Sequence, residues 1–100
     1  MTSILKSAAN FAESDCAAAL GKVTAAKRCL SVVEKAFAFA DEDKDHKPLV
    51  AAGKTNILIY VEGHIRKMLE EYRHEHELAS VRLRDAYRAL EEAKAQEATK

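Results

Sequence analysis

Tryptophan is absent from this chain, and glycine, proline and cysteine are scarce, at three, one and two of 100 residues. The glycines are widely spaced, so there is no glycine-rich phosphate loop and no nucleophile elbow. No apolar run reaches eighteen residues, and no apolar leader opens the chain, so we expect neither a membrane span nor a signal peptide. These absences exclude the common catalytic motifs, and we expect no enzyme, no catalytic residue and no cofactor.

Charge of a single sign is also missing, because sixteen acidic residues balance sixteen basic ones. With no net charge, no overall field attracts the protein to nucleic acid or to an anionic membrane. Arginine and glutamate interleave along the second half of the chain, as on a solvated helix face. We therefore expect neither nucleic acid nor membrane as a partner.

The two cysteines are thirteen residues apart on one predicted helix. At the helical rise, Cys16 and Cys29 are about 20 Å apart, beyond disulfide reach. Both fall on the apolar half of the helix, so we expect buried, unreactive free thiols. Free thiols suit a reducing, cytoplasmic location.

Alanine is abundant, with nineteen residues, and much of it lies on a helical lattice in the first forty positions. Apolar residues there alternate at steps of four and three, the spacing of one helical seam. The members of this seam are Leu5, Ala9, Ala12, Cys16, Ala19, Val23, Ala26, Leu30, Val33, Phe37 and Ala40.

A third apolar column widens this face to roughly half of the helix circumference, more than a two-stranded coiled coil needs. It consists of Ile4, Phe11, Ala18, Ala25, Val32 and Phe39, flanked by Ala8, Cys29 and Ala36. Since one partner helix cannot cover such a face, we predict an all-α fold in which a long antiparallel two-helix hairpin dimerises into a four-helix bundle.

The predicted bounds make one helical domain of residues 1–100. Helix one extends over about 3–40, a charged turn covers 41–48, and helix two extends over about 49–95. Gly21 could break helix one, and Gly53 makes the start of helix two uncertain. Residues 57–61 have strong β-propensity, but no second such run exists to pair with them, so we predict helix there too.

Helix two carries a seam through Leu58, Val61, Ile65, Met68 and Tyr72, which then breaks before Ala79 and Leu83 resume it. The break predicts a stutter, a local change in winding where the core turns polar. A turn centred near Lys44 would place Asp15 and Cys16 beside this break, Ala26 opposite Gly63, and Tyr87 onward beyond helix one. The predicted polar break comprises Asp15, Arg73, His74, Glu75 and His76.

The residues expected to carry interaction and core packing share the two seams. They are Ala12, Ala19, Val23, Ala26, Leu30, Phe37, Ile65, Met68, Tyr72 and Leu83.

One alternative function is a metal- or ligand-binding helical bundle. Glu71 and His74 have the Glu-x-x-His spacing of di-iron bundles, and His64 lies on the same helical face. A symmetric second subunit would have to complete such a site. His74 and His76 also allow association that depends on pH.

A further alternative is a small secreted helical-hairpin protein. Tyr87 and Glu91 have the Tyr-x-x-x-acidic spacing found near the C-termini of small secreted proteins with a Trp-x-Gly turn. The length is similar to that of this family, but the predicted turn is acidic and contains no Trp. The likeness covers two residues and assigns no family.

The reading favoured by the lattice is a non-enzymatic protein–protein interaction module of the assembly, adaptor or accessory inhibitor and chaperone type. We expect it to act through helix packing, as a homodimer, on a protein partner that the sequence does not identify.

Overall fold

A computed structural model describes residues 2–45 and 47–99, with Asp43 described by its backbone alone. These residues form two long α-helices, α1 (Thr2–Asp43) and α2 (Pro48–Ala98). The helices pack together as a hairpin, and the described residues contain no strand, which confirms the predicted all-α helical hairpin. His46, within the predicted turn, lies outside the described residues.

Both helices are longer than their predicted bounds. α1 continues through Gly21 and ends at Asp43, and α2 begins at Pro48 and continues through Gly53. The Lys47 carbonyl accepts a 2.9 Å hydrogen bond from the Ala51 amide, which closes the first turn of α2. Proline suits this position because the first amides of a helix have no partner within it.

Residues 57–61 are helical, as predicted against their β-propensity. A strand needs a neighbouring strand to satisfy its backbone groups, and the described residues offer none. The helix satisfies those groups within its own turns.

The chain divides into two compact units, each combining part of α1 with part of α2. The turn unit is Lys22–Glu71, and the distal unit consists of Met1–Gly21 and Tyr72–Lys100.

The core is made mainly of alanine. Of the ten buried residues in the described part of the chain, six are alanine and none has a large side chain that is fully buried. The other four buried residues are Val23, Val33, Leu69 and Leu90. Burial of a Val or Leu side chain contributes about 1.5–3 kcal/mol, whereas an alanine methyl contributes about 0.8 kcal/mol. Apolar burial therefore contributes little to the stability of an isolated chain, because few of its buried side chains are large.

The predicted seam of α1 faces α2 along its length. Each of its eleven members, from Leu5 to Ala40, is buried or half-buried. Among the ten residues expected to carry core packing, Ala19, Val23 and Ala26 are buried and the other seven are half-buried.

The seam of α2 differs from the predicted one, and the predicted stutter is wrong. Val61 is exposed, Leu69 is buried, and Glu62 and His76 are half-buried. The seam therefore keeps its steps of four and three without a break. Its members are Ala51, Thr55, Leu58, Glu62, Ile65, Leu69, Tyr72, His76, Ala79, Leu83, Ala86, Leu90 and Ala93.

The pairing of the helices in the distal unit is also displaced from the estimate. Cys16 contacts Ser80, about two helical turns beyond Arg73. Tyr87 contacts Glu13, and Leu90 is buried, so this part of α2 lies against α1 rather than beyond its end. The turn is centred later than Lys44, and each residue of shift in the centre moves the facing residue by two.

The predicted pairing of Ala26 with Gly63 would allow a close approach of the two helices there, but none is observed. A Cβ atom built on Gly63 would meet no atom within 4 Å, and the residue is exposed. Ala26, expected opposite it, is buried on the seam of α1. Helical rise sets only the level at which two residues face each other and does not fix which face of α2 turns inward.

Candidate interaction surface

The third apolar column of α1 is not covered by α2. In the distal unit, Ile4 and Phe11 are 73% and 77% exposed. In the turn unit, Val32 and Phe39 are 65% and 68% exposed. The alanines between them, at 18 and 25, are exposed as well. Apolar side chains, four of them large, thus recur in solvent at a fixed interval of seven residues.

This column belongs to a second seam, which we call the outer seam of α1. It alternates at steps of four and three, as the covered seam does. Its members are Ile4, Ala8, Phe11, Asp15, Ala18, Lys22, Ala25, Cys29, Val32, Ala36 and Phe39. All are exposed except Ala36, which is half-buried.

The two seams of α1 are about 100° apart around the helix axis, since successive residues advance by about 100°. In a square four-helix bundle, the directions from one helix to its two neighbours are at right angles to each other. The angle between the seams of α1 is close to this value, and a second neighbour would fit there.

α2 has an outer seam too, about 100° from its covered seam. Within the turn unit four of its seven members are apolar. Its members there are Val50, Lys54, Ile57, Val61, His64, Met68 and Glu71. Within the distal unit the same columns hold Glu75, Leu78, Arg82 and Asp85.

The outer seams of the two helices lie on the same side of the turn unit. Ala36 and Phe39 line one shallow groove together with Lys54 and Ile57. The groove measures about 330 Å³, and Ala40 and Leu58 of the covered seams also line it. Both helices therefore contribute to one open, mostly apolar face.

The exposed area of the chain is large for its mass. It amounts to 7623 Å², whereas a compact monomer of 11.1 kDa would expose about 5700 Å². A standard protein interface buries about 800 Å² on each partner. The excess is more than one such interface would remove.

The helices of the distal unit are joined by polar contacts, among them Tyr87 with Glu13 and Cys16 with Ser80. The Tyr87 hydroxyl donates a 2.9 Å hydrogen bond to Glu13 Oε2 at the surface. The Glu13 carboxylate raises the pKa of Tyr87 above 10.0, through this hydrogen bond first and its charge second. The neutral phenol is thus favoured in the folded chain.

The second contact lies closer to the seam. Cys16 Sγ is 3.6 Å from Ser80 Oγ, which in turn is 2.8 Å from the His76 carbonyl oxygen. Serine has one hydroxyl hydrogen, and Ser80 donates it to that carbonyl. The Cys16 thiol is consequently the donor to Ser80.

The residues of the predicted polar break are not brought together as one cluster on the seam. Asp15, Arg73, His74 and Glu75 are exposed, and His76 alone is half-buried. Its ring lies in the same column of α2 as Glu62 and Leu69. Of the predicted polar break, only His76 therefore occupies a position on the seam of α2.

The candidate metal ligands are also exposed. His64, Glu71 and His74 all lie at the surface of α2. Among the described residues, no group of three His, Cys, Asp or Glu side chains is placed to hold a metal ion.

Two features of the surface differ from the sequence-based expectations or were missed by them. Cys29 was expected to be buried but is an exposed free thiol, whereas Cys16 is half-buried. The outer seam of α2 was missed because Val61 and Met68 were assigned to the core. Leu69 is the residue in the sequence that indicates this outer seam. If Leu69 rather than Met68 is assigned to the core, the steps of four and three continue and Met68 falls on the outer seam.

No protein-family model, curated protein or solved structure matches this chain. Neither α1 nor α2, over its described residues, combines the length and apolar character required to cross a membrane.

Proposed function

We propose that this protein is a non-enzymatic interaction module of the assembly or adaptor type, which acts by packing its helices against another helical surface. In this proposal it works as a homodimer that forms a four-helix bundle, and any chemistry belongs to the proteins that it assembles. A reducing, cytoplasmic setting agrees with two cysteines too far apart along one helix to pair.

The exposed outer seam of α1 is the observation that supports this proposal. Soluble monomers rarely expose a continuous apolar patch of large area. Here the exposed side chains recur with the same spacing that the chain uses to pack α1 on α2. A surface with that spacing is suited to receive a further helix.

The test is the mass of the protein in solution, measured by light scattering over a range of concentrations. We expect twice 11.1 kDa for the natural sequence and the monomer mass for Phe39→Asp, with unchanged helix content by circular dichroism. The matched control is Tyr60→Asp, because Tyr60 is 81% exposed and belongs to neither seam. A natural chain that stays monomeric at every concentration contradicts the proposal.

A further inference from the structure

We infer that a second copy of this chain binds the open face of the turn unit, with both turns at the same end of the bundle and α1 of each copy against α2 of the other. This inference rests on the proposed homodimer and adds its geometry. Three observations support it: which helices carry outer seams, where those seams are apolar, and where their charges lie.

The first observation is that both helices of the turn unit present outer seams on one side. Ala36 and Phe39 of α1 and Ile57 of α2 line the same groove. A two-fold axis parallel to the helices turns this face onto its copy and places α1 beside the partner's α2. Every neighbouring pair of helices in the resulting bundle is antiparallel.

The second observation is the match in apolar character. Ala36 lies level with Ile57 and Leu58 across the groove. When both turns lie at the same end of the bundle, residues at the same level within one chain also lie at the same level between the two copies. Val32 of one copy therefore faces Val61 of the other. If the turns were at opposite ends of two fully overlapped hairpins, α2 would meet α2, and Ile57 and Val61 would face charged residues of the distal unit.

The third observation is charge complementarity within each unit. In the turn unit, the outer seams carry Lys22 on α1 and Glu71 on α2, at levels that correspond in this register. In the distal unit the Cys16–Ser80 contact places Asp15 of α1 and Arg82 of α2 at corresponding levels, and α2 also carries Glu75 and Asp85 there. With the turns at one end, Glu71 and Asp15 each approach a basic residue of the other copy. Such pairs select the orientation of a complex more than its affinity.

The exposed area of the whole chain is consistent with this occupant. The chain exposes about 2000 Å² more than a compact monomer of its mass. An isologous dimer removes the same area from each copy. A stable dimer buries about 800 Å² or more per chain, which is less than this excess.

Disulfide crosslinking between two differently substituted chains tests the geometry. One chain carries Val32→Cys and the other Val61→Cys, both in a background with Cys16→Ser and Cys29→Ala. A mass tag on one chain identifies mixed products by non-reducing electrophoresis and mass spectrometry. Circular dichroism and light scattering establish that each chain folds and has the same mass in solution as the natural chain.

After the two chains are mixed and oxidised, we expect a mixed dimer that a reducing agent converts to monomers, and no crosslinked product from either chain alone. A dimer that yields no mixed crosslink, or that crosslinks in a single-chain sample, overturns this geometry and leaves the proposed homodimer standing. A natural chain that is monomeric by light scattering contradicts both proposals.

A second mixture separates the competing arrangement. Chains with Ala18→Cys and Ala25→Cys, in the same background, should crosslink when α1 lies antiparallel to α1 of the other copy. We expect no mixed product from this pair. Its appearance in place of the first crosslink would place the turns at opposite ends and overturn the inference.

Discussion

The Tyr87 hydroxyl lies 2.9 Å from Glu13 Oε2 and joins the C-terminal half of α2 to the N-terminal half of α1. The contact lies at the surface of the distal unit, where Tyr87 is 40% exposed. Its phenol must keep its proton to donate this hydrogen bond. The pairing of the two helices is thus linked to the protonation of Tyr87.

We expect the stabilisation from this contact to disappear at alkaline pH. The pKa of Tyr87 is raised above its usual 10.0 in the folded chain. A raised pKa gives a contribution that is complete below the unfolded value and is lost as the pH rises through the folded value. The free energy of unfolding of the natural chain should fall more steeply above about pH 10 than that of Tyr87→Phe.

Urea denaturation of both proteins across this pH range measures the difference. The control is Tyr60→Phe, which removes a hydroxyl from a side chain that is 81% exposed. It should keep the pH dependence of the natural chain. Identical pH dependence for Tyr87→Phe and the natural chain would contradict the role given to the Glu13 contact.

The phase of the α2 seam predicts a large effect at Leu69. Leu69 is 5% exposed, so Leu69→Ala should lower the free energy of unfolding by about 2–5 kcal/mol. Ile59 is 59% exposed and lies on neither seam, and Ile59→Ala should change stability by less than about 0.5 kcal/mol. Equal losses for the two variants, in urea denaturation at one protein concentration, would show that the seam has a different phase.

The contrast between the two helices shows how far the sequence predicts this fold. Every seam position of α1 is apolar, so the spacing alone identifies the covered face. In α2, Thr55, Glu62 and His76 occupy seam positions, while Val61 and Met68 lie one residue before Glu62 and Leu69. Apolar character alone then favours the wrong phase, and the error appears as a stutter.

The candidate surface, too, could be predicted only in part from the sequence. The third column of α1 is visible in the sequence because six apolar residues recur at one interval. Which of its two apolar faces α2 covers depends on the packing of both helices. The register between the helices also depends on where the turn is centred, and an error of one residue there moves every facing pair by two.

The acidic charges at the end of α1 are electrostatically unfavourable, and replacing one of them with a basic charge should stabilise the chain. Asp41 and Glu42 lie in the last turn, which has no basic residue. Acidic charge near a helix C-terminus opposes the helix dipole, and a basic charge there contributes about 0.3–1 kcal/mol. Glu42→Lys should therefore raise the midpoint of thermal unfolding at low salt.

Glu34→Lys is the matched control for this prediction, since Glu34 is exposed in the interior of α1. It makes the same change in net charge away from the helix end. A gain of the same size in both variants would attribute the effect to net charge rather than to the dipole. High salt should reduce the gain of Glu42→Lys.

His76 offers the most direct test of the continuous α2 seam. Its ring is half-buried in the column that also holds Leu69, Leu83 and Leu90. His76→Leu would add apolar area at this position, and it would keep the backbone carbonyl that accepts the hydrogen bond from Ser80. We expect an increase of about 1 kcal/mol in the free energy of unfolding.

His74→Leu is the control for this prediction, because His74 is exposed on the same helix and should respond little. All variants must be compared at one protein concentration, since the stability of a dimer depends on concentration. A loss of stability in His76→Leu would mean that the imidazole makes a polar contact worth more than apolar burial at that position. A gain in His76→Leu no larger than that in His74→Leu would contradict the continuous seam, because His76 would then not lie on the covered face of α2.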